Sequence, residues 1–441
     1  MASNPAFGFR QYLSTIDPTS QYEVLVQAGH PFNVIAQAVK TGPVDQGPFA
    51  GSSRLILKNA PSTVPVAGSV EPAVFSRRRQ VVENDVLRLF DPGPLSHFNQ
   101  GSERNVRVPK LLRLDLESDI IVTEDVTPLV TLWDILTPSS FENLGLSSND
   151  IFEGIGADLG RQLGTFFAEL HSDHTRGLIE EWEEQTVRDL KQDITYALVL
   201  EARVMPVLER LKTYGGVDEE MASQLFTRVL RGHISLSVPC FSHGYCHPGA
   251  ILLPDWTRLL SDADASYSAG VDSLIPMTVV DWDFAQLEGR GIDGDMAQLL
   301  ASLHCQIIYL EALDANRASA QDQMALLVAR EAITNMCIAY SKNSRVVQFD
   351  GSQIIGYSTR RLLRSALILH GREMINQAVE REWDIPAESY IDKTDLISEM
   401  VRIGIEHLQI AGEDIAKLAD NLRGRPSEKD IFIKKLFRLH E

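Results

Sequence analysis

The apolar pattern changes period partway along the chain, and that change limits the folds open to it. Early on, the strand formers fall in short runs at residues 22–26, 32–36, 54–58 and 119–125. Later, apolar residues recur at three- and four-residue spacing through 156–171, 184–214, 218–231, 295–313, 319–340, 360–382 and 394–421. Alternation of the first kind predicts β-strands, and the second predicts amphipathic helices. At 441 residues the chain exceeds what a single hydrophobic core organises, so a small β-rich unit followed by a large helical one, an α+β arrangement, is expected. No period of about 20–50 residues repeats, which excludes a solenoid.

Within the first part, residues 22–26 and 32–36 flank Gly29, which predicts a hairpin turning at a permissive residue. The Gly- and Pro-rich segment 41–53 reads as a loop. Residues 54–58 read as a buried strand ending in Lys58, and 76–90 as a helix carrying Glu83. In the second part, Leu159, Leu163, Phe166, Phe167 and Leu170 share one helix face, with His171 at the end where a donor suits the helix dipole. Pro206 should kink or end the 184–214 helix. The basic residues of 423–438 alternate with Ile431, Ile433, Leu436 and Phe437, as on the wet face of a docking helix.

Sixty acidic residues against 41 basic ones give a formal charge of -19, which repels nucleic acid and anionic membrane surfaces. A neutral or cationic small-molecule partner fits that balance. Neither a leader-like N-terminus nor an uninterrupted apolar run of membrane-spanning length is present, so a cytoplasmic location is expected. Cys240, Cys246, Cys305 and Cys337 lack paired spacing and read as reduced thiols.

Two motifs carry chemistry. One is His243-Gly244-Tyr245-Cys246-His247-Pro248-Gly249-Ala250. The other is Val279-Val280-Asp281-Trp282-Asp283-Phe284-Ala285, a buried strand that delivers a carboxylate before an aromatic. The first resembles the His-Gly-Asp-x-His-x-Gly-Asn loop of the aminoglycoside phosphotransferase and methylthioribose kinase family of protein-kinase-like folds. The second resembles that family's magnesium-binding Asp motif. The chain looks like a divergent, fungal-type member with an altered loop. The resemblance implies a two-lobed protein-kinase-like fold, with an N-lobe over 1–126 and a C-lobe over 127–441. It further implies nucleotide contacts from Lys58, Glu83 and Asp283, and a magnesium ligand in Asp281 if a nucleotide binds. Asp293 or Asp295 would cap the helix that follows.

In that frame the proton-accepting Asp is replaced by Tyr245, and the metal-binding Asn by Ala250. A phenol is protonated at neutral pH and donates where a carboxylate accepts, and a methyl group cannot ligate a hard cation. Three functions follow as expectations. The one favoured is a cofactor-independent cyclisation, cycloaddition or isomerisation of an organic metabolite in the reused cleft, with Tyr245, His247 and Asp281 catalytic. An ATP- and magnesium-dependent small-molecule phosphotransferase is the alternative, and a kinase-fold binding module a further one. His243 and His247 are four apart but separated by Gly244, Pro248 and Gly249, which speaks against a zinc pair on a helix face. No Gly-x-Ser-x-Gly elbow supports a hydrolase.

Overall fold

The computed structural model describes residues 7–439 except 28–32, 43–45, 62, 65–72, 75, 77, 101–104, 127–128, 142–148, 193–195, 235–237, 261–274, 318, 345–348, 351–352, 355–356, 387–389 and 425–430. The hairpin turn expected at Gly29, and Phe32 of its second strand, lie outside the described residues.

Alternating side chains build the small lobe around a five-stranded antiparallel sheet. Its order is Tyr22–Gln27, Val34–Lys40, Arg54–Asn59, Ile120–Glu124 and Leu111–Asp115. In register, Lys58 lies between Ile35 and Ile121. Because successive strand residues point to opposite faces, Leu55, Leu57, Ile120 and Val122 share one face, and Ile56, Lys58, Ile121 and Thr123 the other. The first face is sealed by Phe9, Tyr12 and Leu13 of the helix Phe9–Ile16, an amphipathic element that the strand-centred sequence reading missed. Each such leucine taken fully out of water contributes roughly 1.5–3 kcal/mol. The second face is left to line a cleft.

The remainder is mostly helical, giving an α+β, two-lobed architecture. The helix Asn149–Leu170 lies along Ala320–Asn343 so closely that only glycine fits at the contact. A Cβ on Gly160 or Gly164 would stand 2.1 Å from the Ala332 carbonyl or 2.3 Å from the Met336 carbonyl. The helical stretch Gly291–Ala315 is apolar and long enough to cross a bilayer by composition, but 83% of its most apolar window is buried inside the protein. Its hydrophobic surface is used in the core.

Three expected helices differ from the structure. Residues 184–214 divide into Glu184–Lys191, a stretch ending in a π turn at Leu200–Val204, and Pro206–Tyr214. Pro206 sits in the first turn, where its missing N–H costs nothing. The 394–421 segment breaks into Lys393–Ile410 and Leu418–Gly424. Near the end, Lys434 of Ile431–Leu436 is buried along with Ile433 and Leu436, so the basic face is not uniformly wet.

Candidate active site

Lys58 is aimed into the cleft by its strand's alternation, and the carboxylates gather around it. Its Nζ lies 2.8 Å from Glu83 Oε2, 3.1 Å from Asp281 Oδ1 and 3.6 Å from Asp283 Oδ1. Glu83 comes from the helix Arg78–Phe90. One turn earlier, Arg79 reaches Asp283 at 3.6 Å, and Asn33 donates to the same carboxylate at 3.4 Å. Burial opposes the Lys58 charge, but Asp283, Glu83 and Asp281 outweigh it and raise the pKa. Three carboxylates thus face two cations. Glu83 bears the consequence: burial first, and then Asp283 and Asp281, push it up to about 7 against the pull of Lys58.

Asp281 follows the strand Met277–Val279 in a left-handed conformation, φ 65°, and opens the tight turn Trp282–Phe284. Aspartate tolerates that region better than most L-residues. The turn is pinned by Trp282, whose fully buried indole donates to the Val279 carbonyl at 3.0 Å and packs 5.3 Å from Phe90 and 4.7 Å from His243. His243 in turn contacts the Val280 carbonyl through Nε2 at 2.8 Å. The two motifs, 37 residues apart, are one packed unit.

Asp295 holds the loop from behind. Its carboxylate accepts the backbone N–H of His243 at 2.6 Å and of Gly244 at 2.9 Å, and meets His171 Nε2 at 3.1 Å. His171 Nδ1 in turn meets the Tyr340 hydroxyl at 3.0 Å. The expectation that Asp293 or Asp295 caps the following helix is therefore corrected: Asp295 clamps the loop, and Asp293 pairs with Arg290 at 3.1 Å. His171 is likewise a buried bridge rather than a dipole partner. Gly244, at φ 85°, is required, since a Cβ there would lie 1.9 Å from the Phe284 carbonyl oxygen. Cys246 is buried, and burial pushes its thiol well above the ordinary range, so it is no nucleophile. Ala250 is fully buried and brings no ligand atom.

Tyr245 and His247 lie together, ring centroids 4.8 Å apart, and both offer hydrogens. Burial pushes the Tyr245 phenol up to about 12 despite the Arg203 guanidinium 5.8 Å from its ring. His247 Nδ1 accepts the Gly249 N–H at 3.1 Å at the start of the turn Pro248–Ala250. In neutral imidazole the other nitrogen then carries the proton, so His247 presents a donor at Nε2 and is badly placed to act as a base.

Two cavities flank this loop. One, of about 360 Å³, lies under the sheet between Ile35, Ile56, Ile121 and Leu252, with Lys58, Glu83, Asp281 and Gly249 at its inner wall. The other, of about 330 Å³, is lined by Trp133, Tyr245, His247, Gln377, Glu380 and Arg381. There Glu380 is neutralised by Arg203 and, at 2.9 Å, by Arg210. Arg381 is held by aromatic faces, its Cζ 3.6 Å from the Trp133 centroid and 4.8 Å from that of Trp383. Its Nη1 is buried without a hydrogen-bond partner, and burial lowers its pKa to about 10, still charged at neutrality. Nothing in the sequence spacing marks Trp133, Gln377, Glu380 or Arg381, which meet only through the fold.

No protein-family profile matches this chain, and no curated protein sequence matches it. Among solved structures, it is similar to the choline kinase LicA from Streptococcus pneumoniae, with 11% identity over 91% of this chain and 97% of that one and a TM-score of 0.36. A fructosamine-3-kinase-like protein from Thermobifida fusca is 12% identical over 74% of this chain and 98% of its own, with a TM-score of 0.29.

Proposed function

We propose that this chain is a nucleotide- and magnesium-dependent phosphotransferase whose small-molecule acceptor already carries an oxyanion, a carboxylate or a phosphate. The observation that carries the reading is the closed contact of Lys58 with both Glu83 and Asp281, at 2.8 and 3.1 Å, beneath an apolar cavity of about 360 Å³. The cluster fits a divalent cation in charge, because its three carboxylates exceed its two cations and drive Glu83 up to about 7. Asp281 is the residue that would hold the ion, Lys58 the residue for the phosphates, with Glu83 orienting Lys58 and Asp283 shaping the cluster. When bound, the magnesium nucleotide supplies the phosphoryl group and offsets the charge on it.

The altered loop then has a physical logic. An alcohol acceptor must lose a proton, and Tyr245 and His247 are both donors. A carboxylate or phosphate oxygen has no proton to lose. It forms the new O–P bond as the bond to the nucleoside diphosphate breaks, and no base is needed. A carboxylate at position 245 would repel such an acceptor, whereas the Tyr245 hydroxyl, the His247 Nε2–H and the Arg381 guanidinium attract it. Phosphoryl transfer depends mainly on positioning and charge stabilisation, which this arrangement retains.

A second reading rests on the same Tyr245 phenol, held protonated up to about 12: oxyanion stabilisation in a nucleotide-free cyclisation or isomerisation. It gives the Lys58–Glu83–Asp281 contacts no chemical part. The discriminating experiment incubates the protein with ATP, magnesium and paired acceptors, a carboxylic acid and its matched alcohol, and follows ADP release, with hydroxylamine to trap an acyl phosphate. ADP release with the acid and a trapped hydroxamate support the proposal. Faster turnover of the alcohol, or nucleotide-independent conversion of a metabolite, refutes it.

A further inference from the structure

We infer that His304, His370 and His407 form a transition-metal site, suited to zinc, that clamps three helices of the large lobe away from the cleft. The three imidazoles come from Met296–Arg317, Tyr357–Glu380 and Lys393–Ile410, and have relative exposures of 3%, 0% and 1%. One ring nitrogen from each lies within 4.8 Å of the others. His304 Nδ1 and His370 Nε2 are 3.2 Å apart. That matches the separation of about 3.3 Å expected between two ligands of a tetrahedral ion with metal–nitrogen bonds of about 2.0–2.1 Å.

His407 is already in the ligand tautomer. Its Nδ1 meets the Ile403 carbonyl at 2.8 Å, so Nδ1 carries the hydrogen and Nε2 the lone pair, the backing that metal-bound histidines commonly show.

The approach is acidic. His304 also lines a cavity of about 960 Å³ whose walls carry Glu311, Glu331, Asp392, Asp395 and Glu399 against Arg330 and Lys435, a net negative lining that favours cations. Imidazole-only ligation favours zinc and its neighbours over magnesium or calcium, and three ligands leave a fourth position for water. The Phe432 ring, 5.2 Å from His304, lays the C-terminal segment against the same group, so the ion would fix that segment as well as the three helices.

The test uses the full chain without an added histidine tag, stripped with chelator and dialysed. Zinc or cobalt(II) is returned, and bound metal is read by elemental analysis, the cobalt by its visible absorption. The inference expects about one equivalent, the intense absorption of four-coordinate cobalt and a higher melting temperature. His407→Phe and the milder His304→Gln, each checked for fold by circular dichroism, should lose affinity at least about tenfold, the scale set by loss of even an outer-shell partner. Substoichiometric metal on folded wild type, or equal binding by a folded variant, overturns the site.

Discussion

The two sides of the 243–250 loop differ in the charge they present. Toward the sheet, Lys58 contacts both Glu83 and Asp281, with Lys58 and Glu83 buried and Asp281 partly so, a charged cluster whose members are useful only together. Toward the helical side, the loop presents the Tyr245 donor and, at Ala250, no ligand atom, while Arg381 stands between Trp133 and Trp383. On the proposed function, the difference teaches that nucleotide handling and acceptor handling are separable: the first would need the charge network, and the second would change the sign of the group it favours by altering single side chains. It also shows how far a local field can depart from the whole: a chain of net charge -19 builds its second cavity around arginines.

The most damaging way to break the comparison is at its sheet side. Lys58→Met leaves buried carboxylates uncompensated and should destabilise the fold by about 3–5 kcal/mol in denaturant titration. A loss under about 1 kcal/mol would mean that the cluster is not the electrostatic unit described. Next in size is Gly244→Ala, which forces a Cβ to 1.9 Å from the Phe284 carbonyl at a positive φ. It should cost more than about 2 kcal/mol and unseat the loop.

Smaller, and specific to charge, is the pH dependence. Glu83 is raised from 4.5 to about 7, so the stability tied to its bound proton is fully present below 4.5 and is lost as pH rises through 7. Glu83→Gln should flatten that slope, worth on the order of 3 kcal/mol between pH 4.5 and 7. An unchanged slope would assign it elsewhere. Smallest in stability, and most informative about the altered side, is Tyr245→Phe. It should shift unfolding by less than about 1 kcal/mol. Turnover of an anionic acceptor should fall roughly 100-fold. Tyr245→Asp with Ala250→Asn should instead move preference from the acid toward the matched alcohol, and equal loss on both would separate the loop from acceptor choice.

Much of the sheet side was legible in the sequence because its signals are local. Period-two alternation in 54–58 puts Lys58 opposite Leu57, and the apolar run before Asp281 marks a strand end. The loop declared its own departure at Tyr245 and Ala250. What could not be read depends on long-range meetings. Asp295 looked like a helix cap until its carboxylate was found on the His243 and Gly244 amides, 52 and 51 residues away. Arg381 met Trp133, and His304 met His370 and His407, across separations that carry no spacing signature. The close approach at Gly160 and Gly164 was hidden because glycine on a helix face signals weakness until a partner helix occupies the space.

The measurement closest to the central claim is the melting temperature of wild type and Asp281→Ala with and without millimolar ATP and magnesium. A ligand that binds only the folded state at a hundred times its Kd adds about 2.7 kcal/mol. The account predicts a magnesium-dependent rise in the wild type that disappears in Asp281→Ala. No rise in folded wild type, or an equal rise in both proteins, would contradict it.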